Sequence, residues 1–162
     1  MLTSGKELPS GMPSFLTDLL NNQIFVVSAL SWFVAQVLKT LIHFYFSKQL
    51  VAERMIGSGG MPSSHSATVC ALATSTGILY GAGSFEFAMT ALFAIVVMHD
   101  AMGVRRETGK QALVLNEMID MFSRMGKDVD IEHTLKEFVG HTPLQVLAGA
   151  VLGIVISLLM VL

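Results

Sequence analysis

Apolar and charged residues fall into separate blocks along this chain. Four stretches are nearly free of charge: about Gln23 to Phe46, interrupted by Gln36, Lys39 and His43; about Ser66 to Gly83; Phe85 to about Met102; and Pro143 to Leu162. A helix that crosses a bilayer needs about 20 mostly apolar residues, with roughly 17–25 in use. All four blocks fall in that range, the second being short and rich in small residues. The pattern predicts an all-α fold, a polytopic membrane helical bundle of about four transmembrane helices. Small residues at four-residue spacing, Gly77/Gly81 and Gly149/Gly153, are expected to let helix backbones approach closely in lipid.

The segment between the third and fourth blocks, Gly103 to Thr142, is polar. Within it, Gln111 to Arg124 carries apolar residues at Leu115, Met118, Ile119 and Phe122, a helical stripe. This predicts a helix on the membrane surface or against the bundle ends. Glu117 and Asp120 argue against simple attraction to anionic lipid. Gly126 to Asp130 reads as a turn before a short helix up to Phe138, giving one or two surface helices in all. The first 22 residues lack the basic-then-apolar layout of a cleavable signal and read as a partly amphipathic lead-in.

Composition fits this picture. Of the 162 residues, 52% are hydrophobic and 14% charged, against about 25% charged in soluble domains. The length suits a single membrane-embedded domain over residues 1–162. A net charge of −2 gives no reason to expect nucleic acid as a partner. Cys70 is the only cysteine, so no intrachain disulfide can form. Charge also predicts sidedness. With four spans, the connections after the first and before the fourth share a side. They hold Lys48, Arg54, Arg105, Arg106, Lys110, Arg124, Lys127 and Lys136, while the opposite side has only Lys6. Positive residues in short loops stay cytoplasmic. The polar face of this multi-pass cell-membrane protein should therefore be cytoplasmic, with both termini outside.

Three segments carry candidate chemistry. In Gly59-Gly60-Met61-Pro62-Ser63-Ser64-His65-Ser66, a tight backbone leads to serines that cap the second span. A helix start offers unpaired N–H groups and partial positive charge, which favour an anion. Capping accounts for the serines but not for His65 or the paired glycines. In Gly140-His141-Thr142-Pro143, Thr142 is a natural cap and Pro143 a natural first helical residue. His141 thus stands at another helix start, on the same side as His65. One imidazole could attack phosphorus while the other protonates the leaving oxygen. The competing reading is two interfacial histidines touching headgroups.

The third segment runs from His99 and Asp100 through Arg105 and Arg106 to Lys110 and Gln111. An ionised group such as Asp100 at the end of a span usually faces a polar cavity, and arginines grip phosphate bidentately. A basic stop at the membrane edge would explain the arginines but not the His-Asp pair. Lys39, inside the first span, could snorkel to the edge or add charge to the pocket. His43 and His133 read as interfacial and solvent-exposed. The histidines are not spaced as a helical metal-binding pair, and no Cys/Asp/Glu cluster completes a ligand set.

Together these segments resemble the divergent branch of the PAP2 phosphatase superfamily, relatives of acid phosphatases and vanadium haloperoxidases. The resemblance spans nearly the whole chain and is most specific over Gly59–Ala67, Asp100–Gln111 and Gly140–Gly153. It implies that Pro62-Ser63-Ser64-His65 corresponds to a Pro-Ser-Gly-His motif, with Ser63 and nearby amides holding phosphate and His65 the leaving-group acid. It makes His141, followed by Val146-Leu147-Ala148-Gly149-Ala150, the counterpart of the nucleophile. The departures are Thr134-Leu135 in place of Ser-Arg, Gln145 in place of the histidine-orienting Asp, and Phe46-Ser47 in place of Arg-Pro. Arg54, Arg105 or Arg106 would have to replace the lost arginines, and Asp100 to orient His141. Each oriented donor removed from such a site costs roughly 100- to 1,000-fold in rate.

The resemblance therefore leads to a lipid-phosphate phosphohydrolase or phosphotransferase. It would act through a phosphohistidine on His141, with His65 as acid. Lys39, Ser63, Ser64, Arg105, Arg106 and Lys110 would hold the phosphate. No metal or other cofactor is required, because basic side chains and helix ends supply the positive field. The expected partner is an amphiphilic phosphate or anionic lipid in the membrane, and homo-oligomerisation is left open. The alternatives are a catalytically decayed protein that binds or moves anionic lipids, and a structural membrane subunit.

Overall fold

The computed structural model describes residues 14–48, 60–125, 135 and 140–162. Among them are six helices: α1 (Ser14–Asn21), α2 (Gln23–Ser47), α3 (Ser64–Tyr80), α4 (Phe85–Met102), α5 (Val104–Arg124) and α6 (Pro143–Val161). The fold is all-helical, as the blocks of apolar sequence predict. Capping residues define the breaks. Asn22, Ser63, Ser84 and Thr142 each accept from a backbone N–H in the first turn that follows, satisfying a donor with no intrahelical partner.

Among the described residues, three stretches are long and apolar enough to cross a membrane: Gln23–Phe46, Phe85–Arg124 and Pro143–Val161. The remaining expected span, α3, has 17 residues, or about 25 Å at a rise of about 1.5 Å per residue. Length and composition thus show three crossings among the described residues, and the expected count of four is not established by them. α3 is nevertheless the centre of the bundle, packed against α2, α4 and α6.

The contact between α3 and α6 follows from two four-residue stripes. On α6 the stripe is Gln145, Gly149, Gly153 and Ser157; on α3 it begins with the cap Ser63 and continues through Ala67, Ala71 and Ser75. A side chain at Gly149 would strike the Ser63 carbonyl, and one at Gly153 the Ala67 carbonyl. Ser157 Oγ donates to the Ala71 carbonyl at 3.0 Å and accepts from Ser75 Oγ at 3.2 Å. The two helices therefore run parallel, start beside start, with backbones as close as small residues allow. Gln23 Nε2 donates to the Met160 carbonyl at 3.1 Å, which sets α2 antiparallel to both. The His141 amide donates to the Ala101 carbonyl at 2.9 Å, which sets α4 antiparallel to α6. Hence the ends of α2 and α4 meet the beginnings of α3 and α6 at one end of the bundle.

The other glycine pair behaves differently from expectation. Gly77 packs under the Phe87 ring, whereas Gly81, at φ +88°, ends α3 with no neighbour within 4 Å of where a side chain would stand. Its role is to let the chain turn. The polar segment also differs, because the helix begins at Val104 rather than near Gln111 and is separated from α4 by Gly103 alone. α5 buries Gly109, Ala112 and Asn116 and leaves Leu115, Met118 and Phe122 exposed. The outer faces of the bundle are similarly apolar, with Phe33, Leu92, Val96 and Leu159 exposed. The expected turn at Gly126–Asp130, and the short helix after it apart from Leu135, lie outside the described residues, as do Arg54 and His133.

Candidate functional site

His65 lies in the first turn of α3, and His141 immediately precedes the cap of α6. Because those helices are parallel and in register, the two imidazoles meet, with ring centroids 6.0 Å apart and planes inclined at 59°. The approach to α6 is fixed on two sides. Gly140, at φ +90°, lies so close to the Arg105–Arg106 backbone that any side chain would strike the Arg106 amide. The His141 amide is bonded to Ala101 at the end of α4. Only glycine fits that position.

His141 is 2% exposed. Its Nδ1 stands 3.4 Å from Gln145 Oε1, while Nε2 is buried with no hydrogen-bond partner among the described residues. Burial pushes the imidazole pKa below the ordinary histidine value. The Gln145 hydrogen bond works the other way, and the charges of His65, Lys39 and Arg105 add to the lowering.

Positive charge comes from two further elements. Lys39 of α2 is 3% exposed and lies beneath Gly60, where a Cβ would be 3.0 Å from the Lys39 Cγ and Cδ atoms. Gly60, at φ +101°, thus folds the chain over the lysine stem. Arg105 donates through Nε to Asp100 Oδ2 at 2.7 Å. Lys39 and Arg105 both bear electrostatically on both imidazoles.

The same end of the bundle therefore gathers His65, His141, Lys39, Asp100, Arg105, Ser63 and Ser64. Asp100 pairs with Arg105, and Gln145 rather than Asp100 faces the His141 ring. Ser63 and Ser64 are buried. Ser63 Oγ accepts from the Ser66 amide at 3.3 Å and the Ser66 hydroxyl at 3.0 Å, so its lone pairs serve the cap. Arg106 contributes backbone beneath Gly140, but its side chain is exposed. Lys110 is exposed and pairs with Glu107 at 2.6 Å. Among the described residues, no three His, Cys, Asp or Glu side chains gather as a metal ion would require.

Two uncharged polar residues also make specific contacts, Gln145 within the site and Asn116 away from it. Gln145 was legible through its spacing, since Thr142-x-x-Gln145 forms a capping box at the start of α6. Asn116 of α5 is buried; its amide donates to the Leu135 carbonyl at 2.9 Å and accepts from the Leu135 N–H at 3.0 Å. A lone asparagine in an amphipathic stripe carries no signal for such a distant partner.

Residues 20–156 match the Divergent PAP2 family. The chain is also 39% identical over 152 residues to the uncharacterized membrane protein YuiD of Bacillus subtilis (strain 168), covering 88% of this chain and 96% of that protein. No solved structure matches. With three apolar helices of spanning length and a membrane protein as a full-length relative, the chain is a multi-pass membrane protein, and it belongs to the divergent PAP2 family.

Proposed function

We propose that this protein is a phosphohydrolase or phosphotransferase for amphiphilic phosphates, working at the polar end of its helix bundle. The observation that carries the reading is the pair of imidazoles, 6.0 Å apart at two parallel helix starts, with Lys39 and Arg105 beside them. Helix starts and basic side chains together favour a phosphate dianion without further charge.

In this reading, His141 Nε2 attacks phosphorus and the phosphorus–oxygen ester bond breaks. The departing alkoxide takes a proton from His65, which the bound dianion keeps protonated until then. Neutral His65 then removes a proton from water, which attacks the phosphohistidine; phosphate leaves and His141 regains its lone pair. With an alcohol in place of water, the same sequence is transfer.

An amphiphilic substrate is supported by the face of α3 that His65 shares. Thr68 and Leu72 lie three and seven residues beyond it, and they line an apolar groove with Phe25, Trp32 and Met89. A hydrocarbon tail lying there would keep its phosphate at the histidines without leaving the membrane. In this reading α3 crosses the bilayer beside α6, as a fourth span, and the site faces the cytoplasm, where the positive residues gather.

The neutral Gln145, standing where the resemblance to the wider PAP2 superfamily implies a carboxylate, favours a second reading: a protein that holds anionic lipids without turning them over. Phosphate release from vesicles carrying phosphatidate or a polyprenyl phosphate tests between them. Release that disappears in His141→Ala and His65→Ala supports catalysis. Wild type indistinguishable from both variants overturns it.

A further inference from the structure

We propose that Gln145 is a positioning residue that locks His141 as its Nδ1–H tautomer, leaving the lone pair on Nε2. The inference deepens the catalytic reading and rests on His141 being the attacking group. It begins with the capping box. The Thr142 N–H donates to Gln145 Oε1 at 3.0 Å, while Thr142 Oγ1 accepts from the Gln145 N–H at 3.4 Å. A donor on Thr142 requires the amide oxygen, not its NH₂ group, at that position, so the orientation of Gln145 is decided by the helix start.

The same oxygen faces His141 Nδ1 at 3.4 Å. Two acceptors there would repel, so Nδ1 carries the hydrogen. A neutral imidazole has only one N–H, so Nε2 is then the unprotonated nitrogen. That atom is buried and has no donor among the described residues. A buried acceptor left unpaired is unfavourable, and such groups call for a specific explanation; an arriving electrophile supplies one here.

The lock is rigid because Gln145 is itself held. Its backbone carbonyl accepts from the Ser63 backbone N–H at 3.0 Å, which ties the residue to the cap of α3. The choice of amide also matters. A carboxylate would hold the same tautomer but would stabilise the protonated imidazolium, which has no lone pair to donate. Gln145 orients the ring while leaving it neutral. It gives correspondingly less support to the cationic phosphohistidine, so breakdown of that intermediate should be fast relative to its formation.

The test is nitrogen NMR of the full chain, labelled with ¹⁵N-histidine and held in detergent micelles, at a pH where His141 is neutral. Wild type should give a protonated Nδ1 and an unprotonated Nε2 for His141. Gln145→Glu keeps both acceptor bonds and should keep the tautomer. Gln145→Leu should lose it, with a fall in kcat on the order of 100-fold or more, as expected when a catalytic histidine loses its tautomer. Thr142→Ala removes the side-chain cap but keeps the backbone N–H that orients the amide, so it should preserve the wild-type signals. A wild-type His141 protonated at Nε2 overturns the proposal, as does an unchanged tautomer in Gln145→Leu. The spectrum needs no turnover. Nδ1–H signals in a protein that releases no phosphate would therefore overturn the enzyme reading alone and leave the lock standing.

Discussion

The backbone N–H of Ser63 donates to the backbone carbonyl of Gln145 at 3.0 Å, joining the cap of α3 to the first turn of α6. These two residues lead the stripes on which the helices pack. The separation of His65 from His141 is thus set by small residues deeper in the bundle. Gly149 and Gly153 allow the approach because a carbonyl of α3 occupies the space their side chains would need.

Substituting the deeper glycine should therefore disturb both the fold and the site. Gly153→Val is expected to lower stability by about 1–3 kcal/mol, the usual result of overpacking, and to reduce phosphate release by separating the imidazoles. Gly83→Ala, with open space around it, should stay within about 0.5 kcal/mol of wild type. Thermal unfolding in detergent compares the two. Equal stability would mean that the close approach of α3 and α6 does not hold the bundle together.

The bounds of α4 and the start of α6 were legible because charge closes the third apolar block and Thr142 and Pro143 open the fourth. The meeting of His65 and His141 was legible for the same reason, since both precede or open helices on one side. Other features were not. The sequence predicts spacing along one helix and says little about register between two, so Gln145 stood out as a mismatch rather than as a contact. Gly81 satisfied the same four-residue spacing as Gly153, yet only positive φ reveals it as a helix end. Lys110 looked like part of a basic cluster, and the pairing with Glu107 directs it elsewhere.

The His141 imidazole should titrate below free histidine, because burial penalises its charged form. Its folded pKa is lower than its unfolded one, so the unfolded chain binds more protons between the two. This group's contribution to stability is therefore complete above the unfolded value and declines as pH falls toward the folded value. Phosphate release should likewise persist below the pH at which free histidine is half protonated. Gln145→Glu should move the titration upward. An NMR titration of His141 checks both statements, and a wild-type midpoint at or above free histidine would contradict them.

Sidedness follows from which end carries the arginines. Arg105 and Arg106 lie at the end of the histidine pair, whereas the turn from Gly81 to Ser84 carries no basic residue; the proposed topology puts Arg124 on the same side as that pair. Cysteines placed at Gly83 and at the exposed Met125 should then behave oppositely in a Cys70→Ser background. A membrane-impermeant maleimide added to intact cells should label position 83 and spare position 125 until the membrane is opened. Labelling at position 125 from outside would invert the orientation, and labelling of both from one side would remove one crossing from the count.

Asp100 and Arg105 form a 2.7 Å pair whose side chains remain 38% and 43% exposed. Pairs this accessible to water contribute about 0–1 kcal/mol, so Asp100→Asn should leave the unfolding temperature nearly unchanged. Its effect should fall instead on where the guanidinium points. Arg105 uses Nε on Asp100, which leaves its terminal NH₂ groups to meet phosphate oxygens as a fork. Lysine preserves the charge without that fork. Arg105→Lys should therefore weaken binding to phosphatidate vesicles by about tenfold, a loss of about 1.4 kcal/mol, and Arg105→Ala should weaken it further. Asp100→Asn should lie between wild type and Arg105→Lys, because the arginine keeps its fork but loses the anchor that aims it. Vesicle flotation at fixed ionic strength measures all three. If Arg105→Ala binds as tightly as wild type, the guanidinium does not touch the phosphate and Lys39 must carry that charge.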